Sequence, residues 1–392
     1  MTITTAFGDT EHQERQAERA AEARRRIAGY LERRGLAALA LTSPASVAWV
    51  TGGFGPPVDR SAAWADVWAV VSRSEATLVT TEVERERVLA DYDPESQGFG
   101  LVAVEWFDPS ALPRACAELA GVEPAELASD GHGCLGPDVG ADLVELRMPL
   151  CPAEQLDLRE LGELAASALG EALREWHPGK HTDREVQAEI AFRLEAQGAD
   201  APVLIVGGDE RVRRLRHPVA VGARVEELLM AVVVARRAGL HVAATRFAAV
   251  RSAERALRPV LARVCEVEDA VLSATVPGTT YAQVTAELAR AYERAGAPGA
   301  WREHYQGGPI GFAQREFEIA PGGPHGPYGA VEVRPGDAVA WNPSLAGGAK
   351  REDTYLVEEG ALSPVTVQPG WPAVPAGPGS PLADRPGVLV VD

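Results

Sequence analysis

Three short segments of this chain gather side chains able to move protons or hold charge. In RVRRLRHPVAVG, four arginines (Arg211, Arg213, Arg214, Arg216) lead to His217. Imidazole ionises near neutrality, so His217 can both take a proton and return it. Standing alone, it reads equally as a strand-end group that caps a backbone carbonyl. The arginines read either as a solvated strand edge or as a local positive funnel for a small anionic substrate. The second segment, HYQGGPIG, runs from His304 to Gly311. Gln306 can donate and accept hydrogen bonds at once. The glycines let backbone or ligand approach closely, and they also suit a tight turn against a sheet. The third segment, WNPSLAGGAKREDTYLV, carries Asn342, Arg351, Glu352 and Asp353. Arginines can clamp a carboxylate with two parallel hydrogen bonds, or serve in ordinary ion pairs.

These segments need a scaffold, and the patterning supplies one. Residues from about Glu11 to Gly35 read as an amphipathic helix with Gly35 just past its end. LAALALTSPASVAWVTGG reads as a buried strand, a turn and a short helix or strand, and WADVWAVVSRSEATLVT as a hairpin turning at Ser72-Arg73-Ser74-Glu75. Pro149-Leu150-Cys151-Pro152 looks like a link between domains. A long helix then stops at Pro178-Gly179, and the next starts at Thr182, where T-D-R-E is a capping box. Two more helices fit SAERALRPVLARVCEVEDAVLSATVPG and TYAQVTAELARAYERAG. Apolar strands lie among them: PVLIVGG, LLMAVVVARRAGLHVAATRFAAV, DAVAWNPS and DTYLVEEG. From Gln368 the chain is rich in Pro and Gly and reads as an extended, surface-hugging tail.

With 392 residues the chain can build two domains with sizeable cores. A net charge of −18 and one short basic run exclude a nucleic-acid face. No apolar run approaches a membrane span, and the polar start MTITTAFGDTEHQERQAERA lacks a signal-peptide core. Cys116, Cys134, Cys151 and Cys265 show no C-x-x-C spacing, so a reducing cytoplasm is expected.

The HYQGGPIG and WNPSLAGGAKREDTYLV segments together resemble the C-terminal motifs of the pita-bread family: prolidases, Xaa-Pro aminopeptidases, methionine aminopeptidases and creatinase. The looser N-terminal match is to the small creatinase/prolidase N-domain. The resemblance implies an α/β (α+β) fold. It divides the chain into a flexible tail over 1–20, an N-terminal α/β domain over 21–150 and a pita-bread domain over 151–392. It further implies that five metal-ligand positions fall on Val232, Ala243, Gly308, Asn342 and Glu352. Of these only Glu352 can ligate as an anion, so a metal-lacking, creatinase-like branch is expected, with no cofactor. In creatinase, the His matching His217 is the acid/base residue and the carboxylate matching Glu352 is its partner. Thr245 stands where creatinase holds a second carboxylate, which argues against creatine as substrate.

The expectation is a metal-independent hydrolase acting on a C–N bond of a small carboxylated substrate. His217 and Glu352 are the catalytic candidates. Arg60, Arg246, His304, Gln306, Asn342 and Arg351 are the substrate-binding candidates, in a cytoplasmic homodimer. Asn342 is expected to keep a polar contact with Glu352. The alternative is an inactive peptidase-like domain that binds a peptide or protein partner. A working Xaa-Pro metallopeptidase fits least.

Overall fold

The structure is a computed structural model, and it describes residues 10–54, 58–375, 382 and 384–391. Two compact units divide the chain, one within 1–154 plus 238–240 and one within 155–237 plus 241–392.

In the first unit, α1 (Thr10–Arg34) buries Ala20, Ala23, Ile27, Tyr30 and Leu31. That three- and four-residue spacing is one face of a helix. Gly35, at φ 66°, ends it in the left-handed conformation that favours glycine. The stretch 1–20 was expected as a tail, yet it is helical from Thr10, with Arg19 and Ala20 buried. Residues 1–9 lie outside the described residues. A four-stranded sheet follows the order β1 (Ala38–Leu41), β2 (Val67–Ser72), β3 (Ala76–Thr81), β4 (Gly100–Val104). β2 and β3 form the expected hairpin, closed by Ser72 N–H donating to Glu75 O at 2.9 Å. The short segment after β1 is helical: Ser43 caps α2 (Pro44–Val50) and Pro44 opens it. α3 (Arg85–Asp91), α4 (Ala111–Ala120) and α5 (Gly140–Arg147) complete this unit.

The second unit contains the helices α6 (Pro152–Glu175), α7 (Asp183–Glu195), α8 (Asp209–Arg214), α9 (Arg251–Ala274) and α10 (Tyr281–Arg294). Thr182 and Glu185 form the expected capping box of α7. The strands β5 (Asp200–Gly208), β6 (Leu228–Arg237) and β7 (Leu240–Val250) form one sheet. β6 and β7 are buried along nearly their whole length, which explains their largely apolar reading. A second sheet runs β13 (Leu362–Pro364), β12 (Asp353–Val357), β9 (Ala338–Trp341), β8 (Gly307–Ile310). Between β9 and β12 the chain makes a small hairpin, β10 (Ser344–Leu345) with β11 (Ala349–Lys350).

The two sheets are stitched together at β7 and β12. Thr354 Oγ1 accepts from Ala243 N at 2.8 Å and donates to Ala243 O at 3.0 Å, and Thr245 N donates to Glu352 O at 2.9 Å. The tail departs from expectation. Trp371 and Arg385 are buried, and β14 (Ala373–Val374) pairs with β15 (Arg385–Pro386). β16 (Val388–Val391) then adds a parallel edge strand to β7. The aliphatic run VLVV after Gly387 forms that strand, half-buried along its length.

Candidate active site

His217 lies just past α8, where the chain leaves the helix at Leu215. It is exposed, and its Nε2 sits 3.1 Å from His304 Nε2, with ring centroids 4.9 Å apart at 51°. A nitrogen–nitrogen contact of this length needs one N–H and one lone pair, so the pair shares a single proton across that contact. His304 is held from behind. Gln306 Nε2 donates to His304 O at 2.7 Å and to Trp301 O at 3.0 Å, while Gln306 Oε1 accepts from the Tyr292 hydroxyl at 2.9 Å. Gln306 therefore shapes the turn that presents His304, rather than facing a ligand itself. Next to it, Gly307 stands at φ 87°, where a Cβ would lie 2.2 Å from Ala340 O. Only glycine fits there.

A buried charge pair flanks the imidazoles. Lys350 Nζ is 3.6 Å from Glu352 Oε2, and both side chains are 4% exposed. The same carboxylate oxygen accepts from Thr245 Oγ1 at 3.0 Å. Glu352 thus serves Lys350 and Thr245, while the ring partner of His217 is His304. Glu352 reaches His217 only through its field. Burial and the Lys350 ammonium push the His217 pKa down, and Glu352 opposes them. His304 is pushed down to about 3, first by burial, then by Lys350 and His217. Burial also lowers the Lys350 pKa, against the pull of Glu352.

The sign of the resulting pH dependence follows directly. Between about pH 3 and the ordinary histidine value near 6.5, the unfolded chain binds protons that folded His304 refuses. Stability contributed by the neutral ring is complete above about pH 6.5 and is lost as pH falls below it. Chemical denaturation at pH 7.5 and 5.0 is expected to show this slope, and His304→Asn is expected to flatten it. An unchanged slope in that variant would remove His304 as its source.

Arg246 and Arg351 are not brought to the imidazoles. Arg246 is fully buried, pairs with Asp353 Oδ1 at 2.9 Å, and donates to Thr245 O at 2.9 Å and Thr366 O at 2.7 Å. Arg351 donates to Glu268 Oε2 at 3.1 Å and to Pro386 O, and Glu268 also takes Arg385 Nε at 3.2 Å. Both guanidiniums satisfy buried carboxylates and loop carbonyls of the scaffold. Arg60 lies exposed in the other compact unit. Asn342 is buried and its Oδ1 has no hydrogen-bond partner; in place of the expected contact with Asn342, the Glu352 carboxylate meets Thr245 Oγ1 and Lys350 Nζ. Lys350, Ser344 and Arg315 went unremarked in the sequence. Arg315 is half-buried, donates to Gly308 O at 3.2 Å and Ala340 O at 3.0 Å, and feels the Glu352 charge.

The sequence from residue 157 to residue 359 matches the model of metallopeptidase family M24. The chain belongs to that family. A search of curated proteins by sequence found no match. Among solved structures, the M24 chain is similar to the dipeptidase PepE from Mycobacterium ulcerans, at a TM-score of 0.71 and 20% identity over 90% of this chain and 97% of that one. It is similar to the prolidase from Pyrococcus horikoshii OT3, at 0.70 and 18% over 88% and 98%. It is also similar to the N-terminal domain of FACT complex subunit SPT16 from Cicer arietinum, at 0.59 and 13% over 89% and 96%. At these identities the likeness concerns the fold, a mixed α/β architecture with an N-terminal domain ahead of a pita-bread domain.

The M24 name implies a metal, and the residues present do not fit one. Val232, Ala243 and Gly308 have no ligating side chain, and Asn342 is neutral. Among the described residues, no three His, Cys, Asp or Glu side chains gather as a metal site. The surviving carboxylate, Glu352, already faces an ammonium at 3.6 Å, a charge that repels a dication.

Proposed function

We propose that this M24 chain hydrolyses a C–N bond of a small carboxylated substrate by proton transfer, without a metal step. The observation that carries the reading is the 3.1 Å contact between His217 and His304 beside the Lys350–Glu352 pair. A general acid/base works best when its proton affinity matches the working pH; burial and Lys350 keep His304 neutral, which leaves the exposed His217 as the ring that accepts. His217, at the exposed end, takes a proton from the attacking water. The water oxygen bonds to carbon, the C–N bond breaks, and His217 returns the proton to the departing nitrogen. His304 orients the imidazole. Glu352 holds the Lys350 ammonium, whose charge suits an oxyanion forming on the substrate. Asn342 Oδ1, buried without a partner, is the acceptor proposed for a substrate N–H. A cytoplasmic homodimer remains part of the proposal.

The test is a chelator-treated preparation given a panel of Xaa-Pro and other dipeptides, N-acyl amino acids and N-carbamoyl amino acids, with release of free amine as readout. Turnover of one class without added metal supports the reading. Turnover that appears only with added Mn, Co or Zn sinks it. The second reading is a peptidase-like domain that binds a peptide or protein partner. It is favoured by the missing ligand set and by the fold shared with the SPT16 N-terminal domain. Peptide binding with no turnover of any panel member would select it.

A further inference from the structure

We infer that the cavity between α8 and the β10–β11 hairpin is the seat of the substrate's carboxylate. The inference rests on the proposed function only in naming that anion as part of the substrate. With Arg246 and Arg351 committed to the scaffold, the carboxylate must be met elsewhere in this unit. The cavity holds about 110 Å³, and its wall includes Arg213, Arg214, Arg216, Lys350 and Ser344, with Glu303 its one acidic lining residue. The basic run in the sequence thus faces a hollow rather than only bulk solvent.

Ser344 and Lys350 are directly paired across the hairpin, which places their side chains on the same face. Ser344 is 3% exposed, and its Oγ has no hydrogen-bond partner. A buried hydroxyl left without a partner is a standing penalty that a ligand oxygen in this cavity would remove. The arginines keep donors in reserve. Arg213 uses Nη2 on Glu227 at 3.4 Å, and Arg216 uses Nη2 on Glu303 at 2.5 Å. Arg214 Nε stays 4.0 Å from Glu210, outside hydrogen-bond reach. Each guanidinium carries five N–H donors, so these partners leave room for a forked contact with a carboxylate.

The cavity is tied to the imidazoles through Lys350 and Arg216, without either ring lining it. Lys350 lines the cavity and also acts on both His217 and His304, and Arg216 directly precedes His217. A second cavity of about 290 Å³ shares Arg216, Glu303, Leu345 and Ala346 with the first, and gives space for the rest of a small molecule.

The experiment uses the full chain in low-salt buffer, with acetate and inorganic phosphate as probes and ligand-observed NMR as readout. The parent is expected to bind acetate saturably. Arg214→Gln is expected to weaken that binding at least tenfold and Ser344→Ala at least threefold, while His217→Ala binds as the parent does. The Arg214 side chain is 74% exposed, so its variant tests the site without disturbing the core. Acetate binding unaffected by both cavity variants overturns the inference. So does saturable phosphate binding with no acetate binding, which would make this a free-phosphate site. If acetate behaves as expected but no panel compound is turned over, the reaction fails and the seat stands. Turnover together with acetate binding blind to both variants fails the seat alone.

Discussion

His217→Ala is expected to lower kcat by about 10²- to 10⁴-fold, the usual worth of a positioned acid/base group. The fold should be nearly indifferent, because the ring is exposed and its one ring partner is another imidazole. Surface changes of this kind stay within about 0.5 kcal/mol. His304 is the positioning residue of the pair, and its variants separate orientation from structure. His304→Ala should depress kcat more than it raises KM, since the lost contact orients a proton donor rather than binding substrate. His304→Gln retains a hydrogen-bonding group and should recover part of the loss. Full activity in His217→Ala would end the proposed mechanism, whatever His304 does.

The second large effect concerns stability. Lys350→Met should cost about 3–5 kcal/mol, because it leaves the Glu352 carboxylate buried without its ammonium. Thr245 Oγ1 and the nearby Arg315 remain, so the lower end is expected. The double variant Lys350→Met with Glu352→Gln should recover most of the loss. Replacing both members of a buried pair with neutral groups of similar shape removes the unpaired charge. Urea denaturation of the parent, Lys350→Met, Glu352→Gln and the double variant gives the coupling energy. A single Lys350→Met within about 1 kcal/mol of the parent would mean that Glu352 is held by other groups.

Much of the scaffold was legible because it is written in short-range chemistry. The Thr182 capping box, the Gly35 stop and the hairpin turn at Ser72–Glu75 need only local rules, and they stand where those rules place them. The edge strand Val388–Val391 was not legible within its Pro- and Gly-rich surroundings, since the partner that pairs it, Phe247–Val250, is distant in sequence. The site divides the same way. His217 and His304 were singled out one by one, but their contact spans two segments far apart in sequence. Lys350 could have been found: it lies two residues before Glu352, a spacing that puts both on one face of an extended chain. Ser344 needed the hairpin register as well. Arg246 and Arg351 looked like substrate clamps because residue type cannot reveal which carboxylates lie behind them. The structure supplies Asp353 and Glu268.

Tyr292 links the two ends of the site. Burial pushes the pKa of its phenol up to about 12, so it keeps its proton. That single hydrogen faces two acceptors, Gln306 Oε1 at 2.9 Å and Ser344 O at 3.2 Å, while Ser344 N donates to the Tyr292 hydroxyl oxygen at 2.9 Å. Gln306 in turn grips the carbonyl of His304. The Ser344 contacts run through its backbone, so the phenol joins the β10–β11 hairpin to the amide that holds the imidazole. One buried hydroxyl thus pins the cavity wall and the imidazole turn together, and Tyr292→Phe would release both at once.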